Sequence, residues 1–176
     1  MLQTYLRAGV ATALLIVAVA VPTSAASGAT TATITVSGGV LAISAPTTAG
    51  NLGSRANSVD GGTISGPLGQ VQVSDARSAA AGSGWVASVI ATAFTPPAGP
   101  AIAASAVSYT AGPITKVGTA TFTANDPTNL TGVVAAVTAT GITGDNSATW
   151  NPTITVTLAG GMAAGIYSAT ITHSVA

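Results

Sequence analysis

From Thr31 to Val36 the chain sets Ala32, Ile34 and Val36 against Thr31, Thr33 and Thr35. Period two with threonine on one side is the pattern of a half-buried strand. Ser37-Gly38-Gly39 reads as a tight turn into Val40–Ser44, so a first hairpin is predicted. Residues 45–69, rich in Pro, Gly, Asn and Ser, read as a long loop with one short strand. The stretch from Val71 to Phe94 organises the rest. Val71 and Val73 share a face opposite Gln70 and Gln72, and a turn containing Asp75, Arg77, Gly82 and Gly84 follows. Trp85, Ala87, Val89 and Ala91 then share a face, with Val86, Ser88, Ile90 and Thr92 behind them. That second run predicts a strand covered on nearly both sides. Pro96, Pro97 and Pro100 end it.

The second half continues in the same style. Strands are predicted over 105–110, 117–122 and 131–140, with turns at Gly112-Pro113 and Asn125-Asp126-Pro127. The alanine-rich stretches 78–81 and 101–106 are too short, and too closely flanked by Gly and Pro, to be helices. Gly144–Ser147 reads as another turn, and 151–158 alternates Ile154, Val156 and Leu158 against threonines. Over 165–175, Tyr167, Ala169, Ile171, His173 and Val175 fall on one face. Eight to ten short strands without a convincing helix predict an all-β chain. The expected fold is a single-domain antiparallel β-sandwich, Ig-like or barrel-like, over residues 30–176.

Composition sharpens this in two places. Only two tryptophans stand among abundant Ala, Thr, Gly, Val and Ser, so Trp85 and Trp150 are candidate core anchors. At the N-terminus, Arg7 precedes an uncharged run from Ala8 to Val21, and Pro22 leads into small residues at Thr23–Ala26. That is the layout of a secretory signal peptide over residues 1–26. The run is too short for the roughly 20 residues a membrane span needs. Behind it remain Arg55, Arg77 and Lys116 against Asp60, Asp75, Asp126 and Asp145. So few cations exclude nucleic acid as a partner and give no pull toward anionic lipid. With no cysteine in the chain, thiol chemistry is excluded, and a secreted domain of this size can hold its core without disulfides.

Candidate chemistry is thin. His173 is the single histidine, and with no Cys or Glu beside it a metal site is not expected. No cofactor motif is present. A serine–histidine–aspartate hydrolase would have to be built on His173, and no nucleophile elbow supports it. Two carboxylates for glycoside hydrolysis exist on paper in Asp75 and Asp145, but both lie in turn sequences where Asp has a conformational role. Asp75 and Arg77 beside Trp85 read either as a local ion pair next to a core residue or as a polar rim beside an aromatic platform for a sugar ring. The abundance of Ala, Gly and Thr with little Lys fits a high-GC, actinobacterial genome.

These residues carry a resemblance. Val71, Val73, Asp75-x-Arg77, Gly84-Trp85 and Phe94, with Asn51-Leu52-Gly53 upstream and Gly165-Ile166-Tyr167 opening the last strand, resemble the WxL family of Gram-positive surface proteins over most of residues 30–176. The first motif reads Trp85-Val86-Ala87, with Ala in place of the family's Leu. The second reads His173-Ser174-Val175, with His for Trp and Val for Leu. The resemblance implies a non-enzymatic secreted protein held non-covalently at the cell wall through peptidoglycan or other surface proteins. Trp85, Arg77, Asp75 and His173 are then the candidate ligand-binding residues. A structural or adhesive subunit that self-associates, or binds a partner surface protein through Thr-rich strand edges, is the alternative.

Overall fold

Two stretches rich in β-branched residues, 62–91 and 134–158, pair antiparallel along most of their length in the computed structural model, which describes residues 31–176. The first comprises β2 (Gly62–Pro67) and β3 (Val71–Ala91), and the second comprises β6 (Val134–Trp150) and β7 (Thr153–Leu158). Between the members of each pair the ribbon bends from one sheet into the other. At that corner Leu68 N–H donates to the Pro152 carbonyl at 2.8 Å and Gly69 N–H to Asn151 Oδ1 at 3.0 Å. Pro152 lacks an N–H, so a bend where the ladder is interrupted suits it.

Shorter strands complete the sheets. β1 (Leu41–Ser44) and β8 (Ile171–Val175) both pair with β3, while β5 (Thr115–Ala124) pairs with β6. β4 (Val107–Thr110) pairs with β7, which gives a five-stranded and a three-stranded antiparallel sheet. The chain is therefore all-β, with a single 3-10 turn at Ala104–Ala106 and no α-helix among the described residues. None of those residues forms a helix long and apolar enough to cross a membrane. Residues 36–176 make one compact unit. Its largest fully enclosed side chains include Trp85, Trp150, Tyr109, Leu130, Ile142 and Ile154. The expected signal peptide lies outside the described residues.

Four expectations are corrected. Thr31–Val36 carries no strand, and the first hairpin does not form; Ile34 is 92% exposed. Instead Gly39 N–H donates to the Ala76 carbonyl and Ala76 N–H to Val40 at 3.1 Å. The β1–β3 ladder thus runs through the residues that were to turn. A Cβ on Gly39 would meet that of Ala76 at 2.8 Å, so glycine here serves close approach, not reversal. Second, the predicted turns at 75–84 and 144–147 do not reverse the chain, because both arms of each belong to one strand. From Asp75 to Trp85 β3 advances ten residues while β6 runs seven, from Asn146 back to Ala139. The register shifts three times on the way, with two surplus residues on β3 before Ala79, two more before Ser83, and one on β6 between Ile142 and Ala139. Third, the rear face of 86–92 is only partly covered, with Val86 37% exposed. Fourth, the last strand is confined to Ile171–Val175.

Candidate functional site

Asp75 closes the regular first part of β3, on the same parity as Val71 and Val73, so its carboxylate points into the interior. Burying a carboxylate is costly unless charge and hydrogen bonds compensate. Arg77, two residues on, supplies both: Nε donates to Oδ1 at 2.8 Å, Nη2 to Oδ2 at 3.0 Å, and the backbone N–H to Oδ1 at 3.2 Å. From across the ladder Asn146 donates its amide to Oδ2 at 3.2 Å. Asn146 Oδ1 in turn accepts the indole N–H of Trp85 at 2.9 Å. Arg77, Asp75, Asn146 and Trp85 thus form one chain of hydrogen bonds across the bulge. The Asp75 side chain is fully enclosed while that of Arg77 is 38% exposed.

The same groups hold the bulge in shape. Arg77 Nη2 also donates to the Gly84 carbonyl at 3.3 Å, closing the loop between them. Asp145 Oδ1 accepts Ser78 N–H at 2.9 Å, where Ser78 has a left-handed φ of 53°. At Gly84 a Cβ would lie 2.7 Å from the Ala139 carbonyl, so only glycine lets β3 rejoin β6 there. Trp85 and Phe122 then flank Ala139 from the two sides, and its small side chain allows their rings to meet at 5.7 Å.

His173 lies elsewhere. It pairs with Val89 on β3, four residues and about 13 Å along the strand from Trp85. Its Nε2 is 3.3 Å from the Tyr109 hydroxyl, which accepts the Trp150 indole N–H at 2.6 Å. Trp150 and His173 stand on one sheet and Tyr109 on the other, so this phenol joins the two layers. His173 Nδ1 is buried without a partner. Burial pushes the Tyr109 phenol well above its ordinary range and the His173 imidazole below its own. Among the described residues no serine or aspartate bonds the imidazole, and no three His, Cys, Asp or Glu side chains gather as metal ligands.

Of the four sequence-predicted site residues, the structure brings Asp75, Arg77 and Trp85 together and leaves His173 apart. Trp85 is 2% exposed, so it offers no ring face to a saccharide, and only Arg77 of the three reaches solvent. Sequence reasoning missed Asn146 and Tyr109. Both carry a detectable signal, since Asn146 shares parity with Ala148 and Trp150, and Tyr109 with Val107. A polar group on the apolar parity of a strand needs a partner.

Acid should weaken this protein in two stages. The Arg77 hydrogen bonds hold the Asp75 carboxyl below its ordinary value of 3.8, against the opposing push of burial. That stabilisation is complete above the ordinary value and is lost as pH falls through the lowered one. The depressed His173 acts in the same direction from its ordinary 6.5 downward, because only the unfolded imidazole protonates freely. Denaturant midpoints measured along a descending pH series should fall in both windows. His173→Gln should flatten the upper one and Asp75→Asn the lower one.

A concavity large enough for a ligand lies away from both clusters. A cleft of about 760 Å³ runs between loop 46–61 and loop 159–170. Its floor is apolar, with Leu68, Phe94, Ile102, Val156 and Leu158, and its rim carries amides and hydroxyls such as Asn51, Asn57 and Ser58. Among the described residues Arg55 is the one charged side chain lining it. No family model, curated protein or solved structure matches the chain.

Proposed function

We propose that this chain is a non-enzymatic, exported surface protein that associates non-covalently with cell-wall peptidoglycan, and that the cleft between loops 46–61 and 159–170 is its contact. The observation that carries this reading is the cleft's chemistry. Its volume lies within the range of small-ligand sites. An apolar floor suits the carbon face of a sugar, and rim amides and hydroxyls suit hydroxyl and acetamido groups. Arg55 adds a positive partner for the carboxylates of peptide stems. A secretory leader at residues 1–26 would place the domain where such a polymer is found. The non-enzymatic reading is supported by how the titratable groups are used: Asp75 is saturated by Arg77 and Asn146, and His173 faces Tyr109.

Sedimentation with purified peptidoglycan tests this reading. Wild type should pellet with the polymer. Arg55→Ala combined with Ile166→Asp should retain the fold and bind at least about tenfold more weakly, because Ile166 is 80% exposed at the cleft and leaves no hole when replaced. Wild type remaining in the supernatant would remove the peptidoglycan reading. Equal pelleting of the folded double variant would move the contact away from the cleft.

A further inference from the structure

Thr31–Val36 is built like a strand and pairs with nothing among the described residues. Its apolar residues alternate strictly with threonine, and it contains no charge, proline or glycine. Such segments readily add to an exposed sheet edge. Ile34 and Val36, 92% and 84% exposed, are among the most exposed large apolar residues described. Leaving them in water forgoes the free energy of burial that strand addition would recover.

The matching edge is β5. Among the described residues the strand order β1-β3-β6-β5 leaves one side of this ten-residue strand open. Asn125 N–H donates to the Ala136 carbonyl at 2.9 Å, in register with Ala124↔Val137 and Phe122↔Ala139. Alternation then points the backbone groups of Thr121 and Thr123 at β6 and those of Phe122 and Ala124 outward, unpaired. The side chains match as well. An apolar row crosses the sheet from Trp85 through Ala139 to Phe122 and stops at the edge, where Phe122 is half-buried. A strand presenting Ile34 and Val36 on that face continues the row, and its threonines lie beside Thr121 and Thr123.

We infer that Thr31–Val36 of one copy adds as an extra strand to the β5 edge of a second copy. The chain is too short to do this to itself. Gly39 is tied to Ala76 beside β1, at the opposite side of the sheet. Four strand spacings, about 19 Å, separate β1 from the open side of β5. Ser37 and Gly38 span only about 10 Å between Val36 and Gly39. Donor and acceptor lie on opposite edges, so the contact is head-to-tail and each copy can both give and receive a strand. The product is an open chain or a ring with one sheet continuing through successive copies.

Light-scattering mass measurements on the secreted protein test this, with circular dichroism confirming the fold of every variant. Wild type should gain mass with concentration in steps of one chain. Ile34→Lys with Val36→Lys removes the donor, and Ala124→Pro removes an outward N–H without touching the β6 ladder, so each alone should stay monomeric. Mixed together, they should form a complex of twice the monomer mass and stop there, since one retains only its acceptor and the other only its donor. A wild type that keeps monomer mass at every concentration, or a mixture that stays monomeric, overturns the inference. Should Ala124→Pro not fold, the absence of cysteine allows a disulfide trap. A Thr33→Cys chain should cross-link to a chain carrying Thr119→Cys, Thr121→Cys or Thr123→Cys, and failure at all three positions overturns it equally.

Discussion

Trp85→Ala is expected to lower the unfolding free energy by about 3–5 kcal/mol, the usual cost of deleting an enclosed aromatic side chain. Domains of this kind are stable by about 5–15 kcal/mol, so the variant should sit near its unfolding threshold at ordinary temperature. Two losses add together. The indole packs beside Ala139 and against Phe122, and its N–H is the partner of Asn146 Oδ1. Trp85→Phe separates them, since it keeps most of the ring volume and gives up the hydrogen bond for about 1–3 kcal/mol. Urea denaturation of both variants checks the prediction; a loss below about 1 kcal/mol for alanine would contradict the enclosed position. The result also governs how binding experiments are read. A wall-binding defect in Trp85→Ala would report unfolding before it reported a lost contact.

Asn146→Ala is expected to cost about 2–4 kcal/mol although it removes only a small polar group. The amide sits between two enclosed partners, and its loss leaves the Trp85 N–H unpaired and takes a donor from the Asp75 carboxylate. An orphaned buried donor costs about 1–3 kcal/mol, and a hydrogen bond to a charged group is worth more than a neutral one. Coupling provides the sharper check. In Asn146→Ala with Trp85→Phe the shared bond is lost once, so the double variant should be more stable than the two single losses predict by at least about 0.5 kcal/mol. Strict additivity in denaturant unfolding would mean that the two side chains do not share a bond in solution.

Asn146 also shows where sequence reading reached its limit. Gly144-Asp145-Asn146-Ser147 has turn chemistry, and turn residues are also what a bulge requires. The sequence cannot separate a reversal from a bulge, because the difference is whether both arms pair the same neighbour. In β6 the buried positions are even from Ile142 to Trp150 and odd at Ala139 and Val137, with Ala136 enclosed beside them. The bulge shifts the face, so one continuous strand reads as two. β3 keeps odd positions buried on both sides of its bulge, which made its two halves legible but not their continuity. The cleft was illegible for another reason. Its lining comes from two loops far apart in the chain, neither with a periodic pattern.

By itself the sequence determined the all-β class, most of the strand positions, the enclosed faces of β3 and β7, and the two tryptophans as core anchors. These follow from local alternation and from the scarcity of large side chains, which leave little choice about what must be covered. Only the tertiary structure decided that 62–91 and 134–158 are one bent ribbon, that Asn146 and Tyr109 complete the buried polar chains, and that Thr31–Val36 has no partner among the described residues. Each of these depends on which distant strand supplies the neighbouring ladder. Period-two alternation says which side of a strand faces inward, and it carries no information about the strand beside it.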